Sequence, residues 1–295
     1  MKELTILSGK GGTGKTSITA ALASVAKNVV LCDNDVDAAD LHLILKPSIV
    51  EEHVFHGGWK AVIDADSCSG CGICQDHCRF GAIHSFKNGT FGIDPLACEG
   101  CRLCERVCPN EAIHSERSSN NFWYLSNSRF GYFVHAKMGP GEENSGKLVT
   151  RVRKKAQEIA GQTGADWIIN DGPPGIGCEA IASLSGTSHV LMVIEPTRSG
   201  LHDAERLAEL IESFEIPASA VINKFDIHTE VSLQIEKFLN SHGIALLARI
   251  PFDREVVEAM VNGQSIVEYR PESEISEIIK DVWHSMNEKP VISLH

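Results

Sequence analysis

The string Gly9-Lys10-Gly11-Gly12-Thr13-Gly14-Lys15-Thr16 fits G-x-x-x-x-G-K-[ST], a spacing that cradles a chain of phosphates. Its glycines let the backbone turn tightly enough to aim several N–H groups at one phosphate. Lys15 would reach the β- and γ-phosphates, and the Thr16 hydroxyl would hold Mg²⁺. Ser17 opens a helix whose N-terminal dipole favours anions. Acids stand where such a loop needs them. Asp33 and Asp35 follow the apolar run 29–32, and Asp171 follows the run 167–170. Ligands of open α/β sheets bind at the carboxyl ends of strands. Asp33 and Asp171 are therefore candidates for Mg²⁺ or its water shell, with Asp171 as the Walker-B acid, and Asp35 for orienting the attacking water. Gly175, four residues past Asp171, would bring an N–H near the γ-phosphate, and Asn223 could read the edge of adenine. This is the equipment of a Mg²⁺-dependent ATPase. The plainer alternative for Asp33 and Asp35 is a solvated turn.

A second chemistry is written in cysteine. Cys68-x₂-Cys71-x₂-Cys74-x₃-Cys78 recurs thirty residues later as Cys98-x₂-Cys101-x₂-Cys104-x₃-Cys108-Pro109. This is the spacing of bacterial two-cluster ferredoxins, in which the last cysteine of each run ligates the other cluster. One [4Fe–4S] cluster is expected on Cys68, Cys71, Cys74 and Cys108, and a second on Cys78, Cys98, Cys101 and Cys104. Zinc is the alternative, since four-cysteine zinc sites also use C-x₂-C pairs. The repeat extends past the cysteines, because Ala82-Ile83-His84-Ser85 matches Ala112-Ile113-His114-Ser115. Arg79 stands where the second run has Pro109. His84 and His114 occupy equivalent places and His77 adjoins Cys78; packing, not ligation, is expected of all three.

The elements that must position these groups follow from patterning. Strands are expected at 4–7, 29–32, 59–63, 167–171, 189–194, 218–222 and 245–250. Helices are expected at 17–27, 37–45, 147–160, 201–214, 229–241, 254–262 and 272–286, with an aromatic hairpin over 121–138. Alternating strands and helices with short links specify a mainly parallel sheet covered on both faces. The fold class is thus an α/β P-loop NTPase carrying an inserted α+β ferredoxin-like domain. The ATPase domain would occupy 1–56 and 119–295, and the insert 57–118. A net charge of −12 disfavours nucleic acid as a partner. Arg151, Arg153, Lys154 and Lys155 are read as a solvated helix face rather than a nucleic-acid patch. No apolar run reaches the ~18 residues that span a membrane, and Met1 leads straight into the first strand, so a cytoplasmic protein is expected. Eight of ten cysteines at ligand spacing point to metal, not disulfides.

Taken together, these motifs resemble the MinD/Mrp superfamily of P-loop ATPases, which includes the ParA proteins and the nitrogenase iron protein, and more narrowly a branch with an inserted ferredoxin domain. The most specific mark is Lys10. In the superfamily a lysine here, the deviant Walker-A lysine, crosses to a partner's nucleotide. The resemblance implies an ATP-dependent homodimer, or a heterodimer with a paralogue, with Lys10 catalytic in trans beside Lys15 and Asp35. It also implies an adenine pocket formed by Asn223, Pro251 and Asp253. Two departures limit it. The end, 288–295, is too short and uncharged for a MinD-type membrane helix, and no C-x-x-C of the Mrp type follows Cys178. Cys178 lies seven residues past Asp171, where the nitrogenase iron protein places a bridging-cluster ligand. A buried or nucleotide-coupled thiol is the plainer account, and Cys32, inside a strand, is a poor second ligand.

Three functions fit these features. The first is an ATP-gated electron carrier or redox switch acting on an unnamed redox partner. The second is a scaffold that delivers clusters to apo-protein acceptors. The third is a MinD/ParA-like spatial organiser with a redox-sensing insert.

Overall fold

Runs such as Val190-Leu191-Met192-Val193 lack polar alternation, as strands covered on both faces should. The computed structural model, which describes residues 1–87, 89–142 and 145–288, folds them into two units. The first comprises Met1–Glu52, Tyr124–Ala136 and residues from Gly146 onward; the second comprises His53–Trp123 and Lys137–Ser145.

In chain order the elements are β1 (Lys2–Ser8), α1 (Lys15–Val25), β2 (Val29–Asp33), α2 (Leu41–Leu45), β3 (Ser48–Phe55), β4 (Trp59–Ile63), α3 (Ile73–Asp76), β5 (Ile83–Ser85), β6 (Phe91–Ile93), α4 (Leu103–Val107) and β7 (Ile113–Arg117). There follow β8 (Asn121–Ser128), β9 (Gly131–Lys137), α5 (Ser145–Thr163), β10 (Trp167–Pro174), α6 (Cys178–Leu184), β11 (His189–Ile194), α7 (Arg198–Ser213), β12 (Ala218–Asn223), α8 (Thr229–Ser241), β13 (Ala245–Ile250), α9 (Arg254–Val261), α10 (Ile266–Tyr269) and α11 (Glu274–Glu288). One sheet runs β13-β12-β11-β1-β10-β2-β9-β8-β3. From β13 through β9 every neighbouring pair is parallel. The α/β P-loop architecture with a mainly parallel sheet is therefore present.

Successive strand residues point to opposite faces, and both faces are apolar. Ile6, Leu191 and Val221 turn to one side, against Ile18 and Leu22 of α1 and Ile279 of α11. Leu7, Met192 and Ile222 turn to the other, against Leu207 of α7 and Ile235 of α8. Each such fully buried side chain contributes roughly 1.5–3 kcal/mol relative to exposure.

Several features differ from the sequence expectation. β3 has no alternation to find, because it is the edge strand and Ile49, Val50 and Val54 are all about half exposed. α6 is only seven residues long and begins right after a glycine-rich stretch. Arg153 does not lie on a solvated face. It is 5% exposed and donates to Glu3 Oε1 and to the carbonyls of Ala182 and Ser185 at 2.5–2.9 Å. Of the C-terminal stretch read as too short for a membrane helix, residues 289–295 lie outside the described residues. Among the described residues no helix is long and apolar enough to cross a membrane.

The second unit is α+β and internally two-fold. β4 pairs antiparallel with β7, and β5 with β6. Each half closes on the other: Asp64 N donates to Ala112 O and Asp94 N to Ala82 O, both at 2.8 Å. Ala61, Cys74, Ile83 and Ile113 form its small core.

Removing one partner of a buried ion pair strands the other, at a cost of roughly 3–5 kcal/mol. Arg153→Ala should destabilise by about that amount in urea denaturation, whereas the exposed Lys154→Ala should stay within about 0.5 kcal/mol of the parent.

Candidate functional site

The parallel sheet brings the ends of β1, β2, β10, β11 and β12 to one edge, and the predicted nucleotide residues gather there. The loop from β1 to α1 needs glycine. Gly12 and Gly14 have φ of 79° and 90°, and a Cβ on Gly14 would meet Asn223 Nδ2 at 2.3 Å. A cavity of ≈ 430 Å³ opens over the loop. Gly11, Gly12, Thr13, Gly14, Lys15, Thr16 and Ser17 line it on one side, Asn223, Pro251 and Asp253 on another, and Asp35 at its edge. That volume is of the size that holds a small molecule.

Lys15 is the hub. Its buried ammonium lies 2.9 Å from Asp171 Oδ1 and 3.9 Å from Asp35 Oδ2. Burial opposes its charge, but the pull of Asp171 and Asp35 prevails and raises its pKa. Thr19 adds a 2.9 Å hydrogen bond to the same Asp171 oxygen. Asp171 Oδ2 is buried and has no hydrogen-bond partner among the described residues. Asp33 is fully buried and accepts from the backbone N–H of Asp35 and Leu41. Burial, and next the charge of Asp171, push its pKa well up. Asp35 rises from 3.8 to about 6, chiefly by burial and against the pull of Lys15. One lysine thus faces three carboxylates.

Lys10 points elsewhere. It donates to Glu195 Oε2 and Thr197 Oγ1, both at 2.9 Å, and the other Glu195 oxygen takes Lys224 at 2.8 Å. Burial opposes the Glu195 charge, yet the bonds from Lys224 and Lys10 hold its pKa below the ordinary value. Sequence reasoning missed Glu195, Thr197, Lys224 and Thr19. Glu195 was findable, since it too follows the end of a parallel strand. Lys224 also donates to Gly12 O at 3.2 Å, which ties the end of β12 to the loop.

Other predicted residues are present but engaged. Gly175, at φ 81°, donates its N–H to Ser8 O at 2.8 Å, so that group is not presented to a phosphate. Asn223 donates to Thr13 O at 2.7 Å, leaving Oδ1 to accept. Asp253 caps α9 through Glu255 N, and the Ser17 hydroxyl meets Met260 Sδ. Gly9 packs so closely on Asp203 that a Cβ would meet it at 2.5 Å.

The cysteines of the second unit surround two small cavities. Cys68, Cys71, Cys74 and Cys108 stand in the wall of one, and Cys78, Cys98, Cys101 and Cys104 in the wall of the other. Burial raises the thiol pKa of Cys74, and that of Cys104 to about 11. Among the described residues no three His, Cys, Asp or Glu side chains converge as around a single ion. His77 lines the second cavity with Nδ1 on Ile73 O, while His84 and His114 are exposed on β5 and β7. Cys178 is exposed at the start of α6; Cys32 is fully buried and its Sγ meets Asn34 Oδ1 at 3.1 Å.

The glycine loop and its acids at the carboxyl edge of a parallel sheet define a P-loop nucleotide-binding protein. The CobQ/CobB/MinD/ParA nucleotide binding domain matches residues 4–266, and the chain belongs to that family. It is 32% identical over 292 residues to the uncharacterised protein MJ0578 of Methanocaldococcus jannaschii, spanning 97% of this chain and 96% of that one. The septum site-determining protein MinD of Bacillus subtilis is 23% identical over 89% of this chain and 81% of its own. The structure of MinD complexed with Mg-ADP from Pyrococcus horikoshii shares the fold, with a TM-score of 0.59 at 18% identity over 97% of this chain and 96% of that one.

A carboxylate whose folded pKa exceeds its unfolded one favours unfolding once ionised, an effect absent below about 4 and complete above about 6 for Asp35. Asp35→Asn should therefore raise the urea midpoint of the nucleotide-free protein at pH 7.5, raise it clearly less at pH 4.5, and leave it nearly unchanged at pH 3.5.

Proposed function

We propose that the chain is an ATP-binding and hydrolysing switch of the MinD/ParA kind that acts as an ATP-dependent dimer. The observation that carries this reading is the imbalance around Lys15. Three buried or half-buried carboxylates share one ammonium, and Asp171 Oδ2 has no partner among the described residues. A phosphate-bound divalent cation would supply the missing charge. Mg²⁺ in such sites needs few protein ligands and takes the rest from phosphate and water. Thr16 and Asp171, directly or through water, would hold it, with Asp33 behind. Lys15 would leave Asp171 for the β- and γ-phosphates. Asp35 would orient the attacking water. Asn223 Oδ1 would accept from the adenine amine, with Pro251 and Asp253 beside the base. Lys10 would exchange Glu195 for the partner's nucleotide, and Gly175 would release Ser8 to face the γ-phosphate.

A second reading, that of a redox function added to this switch, is favoured by the two cavities. Each is walled by the four cysteines expected for one [4Fe–4S] cluster, crossed between the repeats. A cubane's four thiolates bind four different irons, so they need not converge on one point. When bound, the clusters would supply one-electron redox chemistry. The residues of this chain contribute the thiolates and a small apolar core. On this reading 57–118 are a ferredoxin-like insert, and ATP state and redox state inform one another. Complete four-cysteine walls favour resident clusters over delivery to an acceptor.

Hydrolysis should require Mg²⁺ and fall by about 10²–10⁴ in Asp35→Asn, measured as phosphate release. Lys10→Ala should still bind ATP yet fail to dimerise or hydrolyse it, as light scattering and phosphate release would report. An unimpaired Lys10→Ala dimer would count against the composite site. Iron counting after anaerobic reconstitution tests the crossing. Cys68→Ser with Cys108→Ser should keep one cluster, whereas Cys68→Ser with Cys78→Ser should lose both.

A further inference from the structure

The two four-cysteine cavities are related by the thirty-residue repeat, so their differences are informative. Three backbone positions of each half are left-handed: Gly70 and Gly100, Gly81 and Glu111, Gly72 and Arg102. Gly72, next to Cys71, has φ 79°, and Arg102, next to Cys101, has φ 60°. Glycine adopts this conformation freely, whereas a side chain makes it strained. The arginine is nevertheless firmly placed. Its Nε and Nη2 donate to the two oxygens of Glu105, each at 2.9 Å, and its guanidinium lies 4.6 Å from the centre of the Trp59 ring. Ser115 fixes Glu105 from the other side at 2.6 Å.

The pair is asymmetric toward the cavity. Arg102 is in the wall of the second cavity and Glu105 is not. Glu99, also in that wall, is exposed, and so is 39% of the Arg102 side chain, so water screens both charges; Arg102 differs in being held in place by Glu105 and the Trp59 ring. Among the described residues the first cavity has no charged side chain in its wall; glycine, Ser69 and apolar groups complete it. Gln75, neutral, takes the place of Glu105 there and donates to Ile83 O.

We propose that Arg102 makes the two clusters unequal, so that the one held by Cys78, Cys98, Cys101 and Cys104 takes an electron at the higher potential. The proposal rests on the two-cluster reading above. A fixed cation beside a cluster stabilises its more negative, reduced form, and local charge and solvent exposure set such potentials. The step is one electron from an external one-electron donor onto the cluster, with no bond formed or broken. Arg102 acts by charge and stays paired throughout.

The test uses the full chain, reconstituted anaerobically and titrated with dithionite while potential and EPR are followed. Eight irons per chain should first be counted; fewer would overturn the two-cluster reading itself. With eight bound, the parent should reduce in two separate steps, and Cys98→Ser identifies the upper one as the second cluster's. Arg102→Gly, which restores the residue of the first half and relieves its strain, should keep eight irons and move only the upper step down. Arg102→Lys should move it less, and Glu105→Gln should move it up. A single merged step in the parent, or two steps that Arg102→Gly leaves in place, would overturn the proposal while leaving the two-cluster reading intact.

Discussion

Lys15 has more acid around it than one ammonium can neutralise. Asp171 is bonded to it, Asp35 is near it, and Asp33 is buried behind. Like charges held together out of water raise one another's pKa and cost stability. The fold tolerates this because Asp33 and Asp171 lie within β2 and β10, and Asp35 just past β2, and the core of the sheet fixes these strands from both faces. Lys15 itself is set by the turn that Gly12 and Gly14 allow. A charge deficit held by rigid elements is a site prepared for a cation and a phosphate together.

The same sheet edge explains the second ionic group. Glu195 follows β11 and engages Lys10 and Lys224 at once. Lys224, from the end of β12, bonds the loop carbonyl of Gly12, and Asn223 bonds that of Thr13. The loop is thereby held by side chains from β12 as well as by its own glycines. In the proposed dimer Lys10 would have to leave Glu195, so this contact sets part of the cost of closing.

The sequence made the strands of the parallel sheet plain, because double-sided burial writes near-continuous apolar runs. It made the acids plain because each follows such a run. It hid β3, whose edge position leaves its side chains in water, and it misled over Arg153, whose partner Glu3 is distant in sequence and has no local signature. Glu195 was visible by the rule that revealed Asp33 and Asp171. The N–H of Gly175 shows another limit. Spacing indicates which group is near a site, not which carbonyl it bonds before a ligand arrives. In the cysteine unit the repeat displayed the four-fold groupings, while the inequality between its halves lies in the placement of Arg102.

A magnesium nucleotide should fill the deficit around Lys15. Ligand bound only by the native state stabilises it by about 2.7 kcal/mol at a hundredfold excess over Kd. The direct measurement is thermal unfolding of the nucleotide-free chain with Mg²⁺ and ATP together, with ATP in EDTA, and with Mg²⁺ alone. The midpoint should rise by several degrees only when both are present, and Asp171→Asn should lose most of the rise. A midpoint that is the same in all three conditions would contradict this.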